Sequence, residues 1–144
     1  MTGIDEKLLP HRGISRMLDR VSRRDATTLV ARTSTHRAAD NPLRHDGRLA
    51  SVVLIEYGAQ AMALHGALRN LDAGVEPRSA LLVAVRDFSA IRDFIDDLPG
   101  ELEIVARVLL ATAASWQYSF EALHDGERIA SGRVAAMAHD LPGS

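Results

Sequence analysis

The chain has 144 residues, 47% of them apolar and 25% charged, with a formal net charge of −2. That length suits a single domain with one real core, residues 1–144, and the composition is that of an ordinary globular protein, so disorder is not the starting expectation. A near-neutral charge gives no global basic field for nucleic acid, and the absence of cysteine removes disulfides, thiolate metal sites and a cysteine nucleophile.

The N-terminal stretch MTGIDEKLLPHRG lacks the basic region and long apolar run of a secretion signal. No segment has the unbroken apolar length of a membrane span, so a cytoplasmic location is the simplest expectation. Residues 16–24 (RMLDRVSRR) lead into 27–35 (TTLVARTST), which is rich in β-branched residues, and the two read as a first hairpin. Residues 36–48 carry Asn41-Pro42 and Asp46-Gly47, both loop signals. An apolar segment then runs to about Asn70, with Val53, Leu54, Ala61 and Leu64 at helical spacing, and predicts a helix that is apolar nearly all round. Residues 71–79 form a loop.

Residues 79–86 (SALLVAVR) are nearly continuously apolar, the pattern of a central strand buried on both faces. From Glu101 to Leu110 the alternation puts Leu102, Ile104, Ala106, Val108 and Leu110 on one side and Glu101, Glu103 and Arg107 on the other. Trp116, Tyr118, Phe120 and Ala122 alternate with Gln117, Ser119 and Glu121, and Asp125-Gly126 predicts a tight turn into a strand over 129–138. The sum is an α+β fold, one long helix wrapped by an antiparallel sheet of five or six strands.

Glu56 is the residue that asks for a reason. It stands in an apolar helix, where an unpartnered ionised acid is costly, and a buried carboxylate that stays neutral or is paired is a candidate general acid or base.

Two stretches resemble a known family. LLPHRGISRMLDRV at 8–21 is similar to the LPHRxPxxxxDRV stretch of the hot-dog β-hydroxyacyl carrier-protein dehydratases, and LIEYGAQAMALHG at 54–66 is similar to their helix motif LIxEAMAQ. The match is closer to the dehydratase-like proteins of aryl polyene pigment clusters, whose helix reads IEYMAQ. Residues 83–104 lie where that family has its central strand, loop and PGDxL turn. The resemblance implies a hot-dog fold and a (3R)-hydroxyacyl dehydratase-like activity on acyl thioesters in fatty-acid or aryl polyene synthesis. The implied partner is an acyl carrier protein with a phosphopantetheine-linked chain, or acyl-coenzyme A. No cofactor and no metal are implied.

Dehydration removes an α-proton and protonates a leaving hydroxyl, so it needs a base, an acid and a donor to the thioester carbonyl. The resemblance gives Glu56 the carboxylate's role, with Gln60 one turn further along the same face, where a hydrogen bond to Glu56 or to substrate is open to it. Tyr57 and His11 are further candidates for binding substrate. The chain departs from the family at the base. Where H-F-P-G-x-P-x-x-P-G would place the histidine stands Pro42, and the nearest histidine is His45, in NPLRHDGRLAS. Either a shortened loop presents His45 to substrate, or His45 is a surface residue, the reading that the pigment-cluster pattern favours.

The remaining marked residues have plainer readings. His65 falls on the side of the helix opposite Glu56, as a core or interface residue, and His36, His124 and His139 are expected in solvent. Asp19 and Arg20 are expected to form an ion pair or turn. Arg44, Arg48, Arg86 and Arg92 are either solvated or receivers of a phosphopantetheine arm or an acidic carrier surface. A hot-dog unit leaves a sheet edge open, so a dimer is expected, with itself or with a related dehydratase that supplies the missing histidine. A thioesterase, in which Glu56 activates water, and a non-catalytic partner subunit are the alternatives from other functional classes.

Overall fold

A computed structural model describes residues 2–3, 17–75 and 80–138. The strands are β1 (Thr2–Gly3), β2 (Arg20–Arg24), β3 (Thr28–Thr33), β4 (Ala80–Ala90), β5 (Leu102–Ala111), β6 (Ser115–His124) and β7 (Glu127–Ala138), and the one long helix is α1 (Leu54–Asp72). All pairings are antiparallel, in a single sheet of order β1-β2-β3-β5-β6-β7-β4. The expected architecture is present, with the two-residue β1 added to six longer strands.

Local chemistry explains the corners. Asp25 Oδ1 accepts the N–H groups of Thr27 and Thr28, both at 2.9 Å, and closes the β2–β3 hairpin. Those two backbone donors hold the Asp25 carboxyl below its ordinary pKa. Asp125 and Gly126 both adopt positive φ, 51° and 81°, as the two-residue turn between β6 and β7 requires. Helix α1 ends in a Schellman motif. Gly74 at φ 73° donates its N–H to Leu71 O, and Val75 N–H reaches Asn70 O at 2.7 Å.

The core lies between α1 and one face of the sheet. Leu29, Ala106, Phe120 and Gly132 pair in register across four strands, and Ala31, Ile104, Ala122 and Ala130 form the next row. Phe120 is the keystone of the first row. Its ring stacks on Phe88 at 6.3 Å between centroids, and it packs so closely on Gly58 of α1 that a Cβ there would lie 2.5 Å from a ring carbon.

Two strand expectations are corrected. Leu110 does not join Leu102, Ile104 and Ala106 in the core, because a bulge between Val108 and Leu110 shifts the register and turns Leu110 outward beside Gln117. Strand β4 is not central. It pairs only with β7, lies at the sheet's edge, and leaves Leu81, Leu82, Val83 and Val85 exposed on both of its faces. No helix among the described residues is long and apolar enough to cross a membrane.

Candidate active site

The site is built at the start of α1. A 3-10 turn at Ser51–Val53 leads into the helix, anchored by Ser51, whose N–H reaches Asp93 O at 2.8 Å and whose hydroxyl donates to Arg92 O at 2.6 Å. No side chain caps α1, and Glu56 is the acid in its first turn, where the helix dipole favours a negative charge.

Glu56 is exposed and makes no hydrogen bond or ion pair among the described residues. Its expected burial is therefore corrected. The helix is apolar nearly all round, yet the sheet covers one side only, and Glu56 looks out beside Val52, which is 56% exposed.

Its neighbours on α1 turn inward. Tyr57 is fully buried, and its hydroxyl sits 2.9 Å from Thr35 Oγ1 and accepts from Asn41 Nδ2 at 3.2 Å. Burial raises the Tyr57 pKa, so the phenol keeps its proton. Gln60 Oε1 accepts the Met17 N–H at 3.1 Å, tying the segment before β2 to the helix rather than reaching Glu56. His11 lies outside the described residues.

His45 sits at the tip of a tight hairpin in the loop that precedes α1. Backbone bonds join His45 N to Arg48 O at 2.8 Å and Arg48 N to His45 O at 3.0 Å, with Asp46 and Gly47 at φ 52° and 76°. Its side chain is 94% exposed, 3.5 Å from the Asp46 carboxylate. The loop beneath is firmly held. The Arg44 guanidinium donates to the carbonyls of Ala38, Gly47 and Arg37 at 2.8, 2.7 and 3.2 Å. Asp96 accepts from Leu49 N at 2.9 Å and from Arg48 Nε at 3.1 Å, and the Leu49 N–H above all keeps its carboxyl below the ordinary range. Arg48 also lies 4.1 Å above the Phe94 ring. Asp96, Arg44 and Asn41 carry this framework without a motif to announce them; the Asn41-Pro42 and Asp46-Gly47 dipeptides are the local signals.

The remaining histidines are placed by hydrogen bonds. His65 is fully buried, Nε2 donating to Asp25 O at 2.8 Å and Nδ1 accepting from the Tyr118 hydroxyl, which makes it a core residue as expected. Two expectations of solvated histidines are corrected. His36 is fully buried with Nε2 donating to Leu98 O at 2.9 Å and Nδ1 unpartnered, and His124 donates from Nε2 to Pro99 O at 2.8 Å. His139 lies outside the described residues. Burial pushes both His36 and His65 below the ordinary histidine pKa. None of the described histidines is hydrogen-bonded or ion-paired to Glu56.

The expected polar partners are also settled. Asp19 accepts from Ser34 N at 2.7 Å while Arg20 pairs with Glu101, so both are structural. Arg92 is committed to Phe94 O and Asp97, and Arg44 and Arg48 to the loop. Arg86 makes no such bond among the described residues and lies on the other face of the sheet.

Comparison with known proteins places this geometry. No curated protein matches the chain. A chain of the dehydratase heterocomplex ApeI:P from Xenorhabdus doucetiae is similar at TM-score 0.84 with 18% identity, over 94% of this chain and 91% of that one. The thioesterase HI1161 from Haemophilus influenzae is similar at TM-score 0.60 with 12% identity, over 84% and 78%. The E. coli PaaI protein of the phenylacetic acid degradation operon is similar at 0.60 with 14% identity, over 81% and 80%. These likenesses share the hot-dog fold. The profile of the ApeP-like family, described as ApeP dehydratase, matches residues 5–142. On that match, which spans nearly its whole length, the chain belongs to the ApeP-like dehydratase family.

Proposed function

We propose that this protein is a cytoplasmic subunit of a (3R)-hydroxyacyl dehydratase acting on carrier-bound acyl thioesters in fatty-acid or aryl polyene synthesis, with Glu56 as its acid. The observation that carries the reading is the state of Glu56, a carboxylate on the first turn of the hot-dog helix, exposed and without a partner in its own chain. Such a group is available to a substrate lying in a cleft that a second subunit closes.

The chemistry needs a base that the described residues do not bring to Glu56. A base takes the α-proton, the C–H electron pair forms the Cα–Cβ double bond, the Cβ–O bond breaks, and the Glu56 carboxyl delivers a proton so that water leaves. The base comes from across a subunit interface. The X. doucetiae relative is a heterocomplex, and the exposed apolar strand β4 is an edge suited to pairing with another chain, which supports a related dehydratase as the partner. His45, exposed where its hairpin closes, is the base that a homodimer would have to use. Gln60 and Tyr57 act in this reading as supports that fix the helix under the substrate, and His11 remains a candidate contact.

Mass spectrometry of a β-hydroxyacyl carrier protein tests the reading, with the chain alone and with a related dehydratase subunit. Loss of water in either mixture is expected. Release of the free acid would instead assign the thioesterase reading, and water loss by the partner at an unchanged rate without this chain would make it catalytically idle.

A further inference from the structure

The face of the sheet turned away from α1 carries a groove of about 210 Å3, lined by Val83, Ala84, Arg86, Leu109, Gln117 and Arg133 among others. Its position follows from the strand pattern. Along β7, Gly132, Val134 and Ala136 are buried against the core, while Arg133, Ala135 and Met137 alternate with them and face out. Ala135 pairs with Gln117 on one side and Ala84 on the other, and Arg133 pairs with Arg86.

Two arginines directly opposite each other on adjacent strands repel, and such a pair costs stability unless something compensates it. The compensation is partial. Asp87 Oδ2 accepts from Arg133 Nε at 3.0 Å and again from Nη2. Asp87 has φ 54°, in the left-handed region that disfavours a non-glycine residue, within the bulge between Arg86 and Ser89. That carboxylate bonds only one of the two guanidiniums. Arg86 is left exposed with no hydrogen bond or ion pair among the described residues, a positive charge at the rim of the groove. The walls beside it are apolar, Val83 and Leu109 being 53% and 52% exposed.

We propose that this groove binds a small amphiphilic anion, with Arg86 taking a phosphate or carboxylate head and Val83 and Leu109 covering a short acyl arm. The charge left by the Arg86, Arg133 and Asp87 arrangement selects an anion, and the apolar walls select a chain attached to it. The site is separate from Glu56, which lies on the helix side of the sheet, and β4 supplies both a wall of this groove and the edge proposed for pairing.

Isothermal titration of the full chain with octyl phosphate, octanoate and octanol tests the proposal. Saturable binding is expected for at least one of the two anions, tighter than for octanol, and the better anion identifies a phosphate ester or a free acid as the source. Arg86→Gln is expected to weaken that binding about tenfold, and Arg107→Gln, whose guanidinium is paired with Glu121 at 2.7 Å, to leave it unchanged. The proposal is overturned if neither anion saturates, if octanol binds as tightly, or if Arg86→Gln binds like the wild type. A change in sedimentation mass on Arg86→Gln would also overturn it, by assigning Arg86 to a contact between copies of the chain.

Discussion

Glu56 and His65 lie nine residues apart on α1 and on opposite sides of it, the carboxylate exposed and without a partner, the imidazole fully buried between the Tyr118 hydroxyl and the Asp25 carbonyl. One helix therefore presents an unpartnered carboxylate on one side and a structural imidazole on the other. Replacing His65 by Leu leaves the Asp25 carbonyl without its donor and costs about 2 kcal/mol of stability. Glu56→Gln leaves the urea midpoint at the wild-type value. Equilibrium urea unfolding of both variants checks the pair, and equal losses would contradict the assignment.

Gly58→Ala sets two effects against each other. Alanine improves helix propensity by about 1 kcal/mol, but the added methyl meets the Phe120 ring at 2.5 to 2.7 Å, and overpacking a core costs about 1–3 kcal/mol. Because Gly132 holds the same ring from β7, with a would-be Cβ at 2.9 Å, Phe120 has little room to withdraw. The variant is expected to be less stable than wild type by thermal unfolding. An unchanged or raised Tm would show that the ring can move.

Stability falls as the solution is acidified from about pH 7.5 to 5.5. Burial lowers the pKa of His36 and His65 in the fold, so the unfolded chain binds protons first, near the ordinary histidine value, and the folded form loses its advantage as pH falls. Each histidine that stays neutral in the fold adds up to about 1.4 kcal/mol per pH unit to that slope. The lowered carboxyls of Asp25 and Asp96 contribute only in more acidic solution, because their unfolded forms titrate near pH 4. Urea midpoints across the window measure the slope, and NMR titration of the two imidazoles checks that both take up protons at lower pH than an ordinary histidine. Stability that rises on acidification would contradict the account.

The run SALLVAVR is apolar without alternation, a pattern that predicts a central strand with cover on both faces, whereas β4 lies at the sheet's edge. In the single chain Phe88 reaches the core, but Leu81, Leu82, Val83 and Val85 are exposed, the pattern of an edge that a neighbouring chain would cover. Leu82→Arg and Val85→Lys are accordingly expected to prevent association, with itself or with a related subunit, while leaving the fold intact. Sedimentation velocity decides it; variants that associate like wild type would move the interface elsewhere.

What was legible in the sequence follows physical locality. The β2–β3 hairpin, the Asp125-Gly126 turn and the inward row Tyr118, Phe120 and Ala122 depend on neighbours in the chain, and they are present as expected. The Leu110 error came from a bulge, which inserts one residue and reverses every later side chain without a local signal. Glu56 was expected to be buried because periodicity reports how apolar a helix is, not how much of it a sheet of this width covers. His36 is the converse, a polar residue in a polar loop whose burial depends on Leu98, sixty-two residues away.

The central claim is that Glu56 performs chemistry, and the rate of water loss from a β-hydroxyacyl carrier protein measures it most directly, in wild type and Glu56→Gln, each mixed with a related dehydratase subunit. The account predicts a rate lowered about 100-fold or more in Glu56→Gln, with assembly and urea midpoint unchanged. A rate within threefold of wild type would place the acid elsewhere and contradict it.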